Sequence, residues 1–135
     1  MALTNRMTNW ISTLGVHIAT SNKNGYPRII VADTVEVKDE YIIAPLTDTQ
    51  AEFIKNNIAE NPQVAIAPGQ IGSIRAPYQF KGKASINNNQ LKILIDEIYC
   101  TKPGYEAGLR LDTIGFEGMK KFDENRWTDL ASVNK

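Results

Sequence analysis

At 135 residues, the chain suits one domain around a single core and has no room for two. Fifteen basic residues are matched by fifteen acidic ones, which excludes the one-sided basic excess of a nucleic-acid binder. A single cysteine, Cys100, and a single histidine, His17, leave no intramolecular disulfide, as in a reducing cytoplasm, and no structural zinc site.

The first segment reads as a helix over about 3–14. Leu3, Met7, Trp10, Ile11 and Leu14 fall on one face, Thr4 or Thr8 offers a cap, and Gly15 ends it. Strand character follows in Val16–Thr20, with Asn22-Lys23-Asn24-Gly25 as hairpin turn. A second apolar run, Arg28 to Val37, leads through Lys38-Asp39-Glu40 into a third strand, Tyr41–Ala44. Short turns between the three predict an antiparallel meander.

The period then changes. Thr49-Gln50-Ala51-Glu52 has the pattern of a capping box, with Phe53, Ile54 and Ile58 as apolar positions and Asn61-Pro62 as the stop. A fourth strand, Gln63–Ala67, precedes a Gly- and Pro-containing loop from Pro68 to Pro77. The fifth, Tyr78–Ala84, alternates cleanly: Tyr78, Phe80 and Ala84 on one face, Lys81 and Lys83 on the other. Beyond it, Asn87-Asn88-Asn89 is expected to cap a third helix carrying Leu91, Leu94, Ile95 and Ile98. A sixth strand is expected around Leu111–Phe116, and a last hairpin joins Lys120–Phe122 to Trp127–Asp129. Six short strands with a helix between the third and fourth predict a closed antiparallel barrel, since closure removes exposed edges.

No apolar run approaches a membrane span and the N-terminus lacks a signal-peptide pattern, so the expectation is a soluble, cytoplasmic protein without membrane partners. Catalytic signatures such as G-x-S-x-G, H-E-x-x-H and a phosphate loop are absent. His17 reads as a core or hydrogen-bonded histidine, and Cys100 as a buried, inert thiol. Asp96 and Glu97, adjacent on the expected helix, diverge and form no acid–base pair; Lys120-Lys121 reads as a solvated pair. What remains is the junction from Leu46 to Thr49. Helix N-terminal amides and the positive dipole end suit a phosphate; Thr47 and Thr49 add hydroxyls, Gln50 an amide, and Arg28 from a neighbouring strand a charge.

The order of these pieces carries a resemblance. Asn57-Ile58-Ala59-Glu60-Asn61-Pro62-Gln63-Val64 supplies N-I-x-x-N-P-x-V, and Phe80-Lys81-Gly82-Lys83-Ala84 supplies F-K-G-K-A. With the strands before them, these resemble the pyridoxamine 5'-phosphate oxidase-like family of FMN-binding split barrels over about residues 10–86. The resemblance implies one domain over 1–135, mainly β with flanking helices: a six-stranded antiparallel split barrel over about 16–86 plus the late strand at about 111–116. It implies a homodimer holding FMN in two clefts between subunits. Arg28, Ile30, Val31, Ala32 and Asp33 would line the flavin, Arg28 near the phosphate, while Ala44, Thr47, Asp48, Thr49 and Gln50 would wrap the ribityl-phosphate end. Family members usually carry Ser or Thr followed by Lys or Arg near the start of this helix. Counting forward from the third strand places Thr49, Gln50 and Ala51 there; counting back from Asn61-Pro62 places Phe53 and Ile54. Neither register supplies the cation, which would come from Lys55 or Arg75.

The implied activity is that of an FMN-dependent oxidoreductase acting on a small molecule, with no identified catalytic side chain. The alternatives are a flavin carrier without turnover, or a barrel whose ligand has changed to a deazaflavin or haem.

Overall fold

The computed structural model describes residues 1–72 and 74–126, except the side chains of residues 71, 74, 75, 125 and 126. Helix α1 (Asn5–Leu14) starts where the Thr4 hydroxyl accepts from the Met7 amide, and it buries Met7, Trp10 and Ile11. It ends at Gly15, whose φ of 71° is left-handed and whose Cβ, were there one, would lie 2.4 Å from the Ala32 carbonyl oxygen. Both constraints require glycine there. Strand β1 (Val16–Ser21) pairs with β2 (Pro27–Ala32) across the predicted Asn22–Gly25 turn.

The second apolar run is not one strand. It divides into β2 and β3 (Glu36–Lys38), and β4 (Tyr41–Pro45) then pairs with β3. The meander expected here is therefore broken: β4's other neighbour is not β2. The main sheet has seven strands in the order β2-β1-β5-β8-β9-β4-β3, with β5 (Gln63–Pro68), β8 (Tyr78–Asn87) and β9 (Gln90–Cys100) at its centre. Its two edges, β2 and β3, are joined by residues 33–35 alone, a link that spans at most about 14 Å. The sheet must curl until its edges nearly meet. This is a split barrel: mainly β and antiparallel as expected, with seven strands in place of six.

The β9 strand replaces the predicted third helix. Asn88 and Asn89 do not cap a helix; both have positive φ, 53° and 58°, and form the two-residue turn of the β8–β9 hairpin. The helical spacing was produced by a bulge. Lys81 faces Glu97 but Gly82 faces Ile95, so Asp96 is the extra residue and the alternation changes phase there. Leu91, Ile93 and Ile95 are buried before it, Ile98 and Cys100 after it, so Leu91, Ile95 and Ile98 fall at i, i+4, i+7 by accident. Cys100 is buried as expected, but on a strand.

The expected strand at 111–116 is a short 3-10 turn, Asp112–Ile114, opening helix α3 (Gly115–Arg126). Asp112 holds the turn against β9 by accepting from the Ile98 amide at 2.9 Å. Lys120–Phe122 belong to α3 rather than to a hairpin, and Trp127–Asp129 lie outside the described residues. The Pro68–Pro77 segment contains a small separate hairpin, β6 (Gln70–Ile71) and β7 (Ile74–Arg75). Helix α2 (Asp48–Glu60) packs on β1, β2 and β8, burying Ala51, Ile54 and Ile58. Among the described residues, no helix is long and apolar enough to cross a membrane.

One polar cluster sits inside the core. Asp123 of α3 accepts from the Thr4 hydroxyl at 2.5 Å and from the Tyr78 hydroxyl, while its backbone carbonyl accepts from Arg6. It ties the C-terminal helix to the start of α1 and to β8.

Candidate functional site

Helix α2 begins at Thr47, not Thr49. The Thr47 hydroxyl accepts from the Gln50 amide, and the Gln50 side chain accepts from the Thr47 amide, each at 3.1 Å. The capping box is thus Thr47/Gln50, with Asp48 and Thr49 in the first turn. The Gln50 side-chain nitrogen also donates to the Val31 carbonyl at 2.8 Å, which fastens the helix start to the free edge of β2.

Strand β2 is where the predicted residues meet. Ile30 and Ala32 point into the core, and Ile29 and Val31 point outward, 60% and 47% exposed. The Asn22 amide donates to the directly opposite Tyr26 carbonyl at 3.1 Å, so by alternation Thr20 and Arg28 form a hydrogen-bonded pair of the β1–β2 ladder, and the Thr20 hydroxyl also donates to the Arg28 carbonyl. Ile29 and Val31 therefore turn their own amides and carbonyls away from β1, toward the open edge. Asp33 is exposed at the start of the link to β3, and Ala44 is buried in β4.

Arg28 is exposed and reaches α2, donating to the Phe53 carbonyl at 2.8 Å with its guanidinium 4.7 Å from the Phe53 ring centre. A shallow depression there is lined by Arg28, Asp48, Thr49, Glu52 and Phe53. Lys55, a proposed substitute cation, pairs instead with Glu52 at 2.8 Å. Arg75, the other, has its side chain outside the described residues.

A second depression, formed by Tyr26, Pro27, Arg28, Ile29 and Phe53, leads from Arg28 to Ile29. Ile29 also borders a cleft of about 580 Å³ on the outer face of β1, β2 and β5. Its floor is set by register: Ala19 stands opposite both Ile29 and Ala65, and His17 opposite both Val31 and Ala67. Small side chains on neighbouring strands make this floor flat, while Pro77, Gln79, Thr101 and Pro103 supply the far wall. His17 is consequently exposed on the cleft floor, not in the core as its apolar strand suggested. The alternation of β1 puts Val16 and Ile18 inside, and His17 between them must face out.

Beyond the far wall, Tyr99 stands opposite Gln79 and its hydroxyl donates to Glu97 at 2.6 Å. Lys81 and Arg110 lie 5.0 and 5.9 Å from the centre of its ring. The bond to Glu97, with partial desolvation, holds the Tyr99 hydroxyl above its ordinary pKa. Burial works against ionisation of Asp112, but its bonds to Arg110 and to the Ile98 amide hold its carboxyl below the ordinary range. Tyr78, whose ring borders the cleft from the core side, has its hydroxyl pKa driven upward by burial and by the Asp123 carboxylate. Among the described residues, no cluster of His, Cys, Asp and Glu could hold a metal ion.

The motif residues that carry the sequence resemblance are structural. Asn57 is buried and donates to the Thr20 hydroxyl at 3.1 Å and to the Tyr26 carbonyl, joining α2 to the β1–β2 hairpin. Asn61 accepts from the Gln63 amide at 3.1 Å, and the Pro62 carbonyl accepts from the Ala84 amide at 2.8 Å, setting the start of β5 against β8. Gly82 lies at the bulge, where a Cβ would come 2.2 Å from the Leu94 carbonyl oxygen.

A flavin has two ends, and the surface treats them differently. The flat apolar floor beside an open strand edge suits a planar ring bearing donors and acceptors on its rim. The phosphate end fits poorly: Arg28 faces Asp48 and Glu52, and Gln50 and Lys55 are already engaged.

No protein-family model and no curated protein matches the sequence. Solved structures do match the fold. HupZ of Group A Streptococcus aligns at 22% identity and a TM-score of 0.62, covering 79% of this chain and 100% of HupZ. A Lactobacillus delbrueckii protein, provisionally described as a pyridoxamine 5'-phosphate oxidase, aligns at 16% identity and 0.60, covering 73% and 93%. An FMN-binding protein of Syntrophomonas wolfei aligns at 14% identity and 0.54, covering 69% and 80%. The chain therefore has the fold of the pyridoxamine 5'-phosphate oxidase-like and FMN-binding split barrels, as its sequence resemblance implied.

Proposed function

We propose that this chain is a flavin-binding split barrel, with FMN the form in which structures of the fold suggest the ligand and with a redox reaction on a small molecule as its use. The observation that carries the reading is the 580 Å³ cleft whose alanine floor runs out to the open edge of β2. Apolar clefts of this size with a few convergent polar groups are the usual form of a small-molecule site. A bound flavin supplies hydride and electron transfer. The chain's own part is to seat the ring on Ala19, Ile29, Ala65 and Ala67, to meet its rim with the Ile29 and Val31 backbone, and to place His17 and Gln79 beside it. No acid–base pair is assembled there among the described residues, so a reaction at this site draws its chemistry from the ligand. The non-catalytic carrier is the second reading, favoured by that same lack.

A homodimer is part of the proposal. Ile29 and Val31 are exposed on an unpaired edge strand, with Tyr26 and Phe53 exposed nearby. Such an apolar patch marks an interaction surface, and a second copy packed on these side chains, with the β2 backbone edge left to the flavin rim, would roof the cleft. The test is uptake of flavin: purified protein mixed with FMN or riboflavin should quench flavin fluorescence and retain yellow colour through gel filtration. Protein that takes up neither overturns the reading.

A further inference from the structure

We propose that this chain recognises its flavin through the ring and not through the phosphate, and so binds riboflavin as tightly as FMN. This rests on the flavin reading above and deepens it. In the depression beside the start of α2, the one arginine, Arg28, is stacked on Phe53 and bonded to the Phe53 carbonyl. Two carboxylates, Asp48 and Glu52, share the same depression. Lys55 is held by Glu52 at 2.8 Å, and Asp48 accepts from Asn89.

The helix amides give little compensation. The capping box satisfies the Gln50 amide, and the Asp48 carboxylate already occupies the first turn, where it meets the helix dipole in place of an external anion. Among the described residues lining this depression, a phosphate dianion meets one cation, the already engaged Arg28, and the like charges of Asp48 and Glu52. A neutral ribityl hydroxyl in the same place meets hydrogen-bond acceptors and a donor without repulsion. Neither register of the Ser/Thr-Lys/Arg pair supplies a cation at this helix start, and Phe53, which with Ile54 falls on that pair in one of them, is the residue that engages Arg28.

The test is a pair of fluorescence-quench titrations of the whole protein at low salt, one with riboflavin and one with FMN, repeated on Glu52→Gln. Removing Glu52 deletes a like charge and releases Lys55, so FMN should tighten by about tenfold, while riboflavin, for which the glutamine oxygen still accepts a hydrogen bond, should show no comparable gain. High salt should erase that gain. The parent protein should bind the two flavins within about threefold of each other. FMN binding more than about thirtyfold tighter than riboflavin in the parent overturns this proposal alone and leaves the flavin reading standing. An FMN affinity unmoved by Glu52→Gln likewise overturns it. Failure of both titrations overturns the flavin reading itself, and this proposal with it.

Discussion

Replacing Tyr78 by phenylalanine removes one hydroxyl from the core and leaves the ring against Phe80, at 5.9 Å between centres. The hydroxyl donates to Asp123, which is buried and whose other oxygen accepts from Thr4. The variant therefore strands one carboxylate oxygen without a donor. Hydrogen bonds to charged groups contribute about 1.5–3 kcal/mol, and a buried acceptor left unmade costs about as much, so Tyr78→Phe should lose about 2 kcal/mol at neutral pH. Asp123→Asn keeps an acceptor and removes the charge, and in a double-mutant cycle the two changes should couple.

The same hydroxyl predicts a pH dependence. Its folded-state pKa is raised above the ordinary tyrosine value of 10.0 by burial first and by the Asp123 bond second. Above that value the unfolded chain releases the proton and the native state keeps it. Stability contributed by Tyr78 is thus fully present below pH 10 and falls as pH rises, by about 1.4 kcal/mol per unit. Urea unfolding of parent and variant, followed at neutral pH and between about pH 10 and 11.5, measures both effects. A variant within about 0.5 kcal/mol of the parent at neutral pH, with the same alkaline slope, would refute the reasoning.

Three further outcomes are expected. Gly82→Ala drives a methyl to 2.2 Å from a backbone carbonyl, so the bulge must shift; a loss of about 3 kcal/mol or more in urea unfolding is expected, and an unchanged midpoint counts against the bulge geometry. Asn57→Ala removes the bonds to Thr20 and Tyr26 and should cost about 2 kcal/mol by the same assay. Ile29→Lys places a charge in the exposed patch of Tyr26, Ile29, Val31 and Phe53 and should shift the protein to monomer in light scattering, since burying an unpaired charge in an apolar interface is costly; a dimer that persists would place the interface elsewhere.

How far the sequence foretold this molecule depends on how local each signal is. Helix α1, the β1–β2 turn, α2 and β8 carry their periodicity, turns and alternation within a few residues of themselves, and each formed as a helix, turn or strand as expected, with β8 running on to Asn87. The β9 strand did not read correctly because one inserted residue, Asp96, shifts the phase of alternation and imitates a helix. The 111–116 segment looked strand-like from Leu111 and Ile114, yet Leu111 alone is buried and Ile114 is exposed. At the site, the strand-to-helix junction was found at the right place, but its cap lies two residues earlier. The pairing of Arg28 with Phe53 spans 25 positions and has no local signature. His17 was misplaced because its neighbours are apolar, although strand alternation alone sends it outward. The cleft itself was invisible, since its floor joins alanines from two strands far apart in sequence.

The central claim is that a flavin ring lies against the open edge of β2 over the alanine floor. Amide hydrogen exchange of the protein with and without riboflavin, at one protein concentration, measures this directly. The amides of Ile29 and Val31 point to that edge and should exchange more slowly when riboflavin is present, while those of α3 stay unchanged. Riboflavin that binds and leaves the Ile29 and Val31 amides exchanging as before would contradict the account.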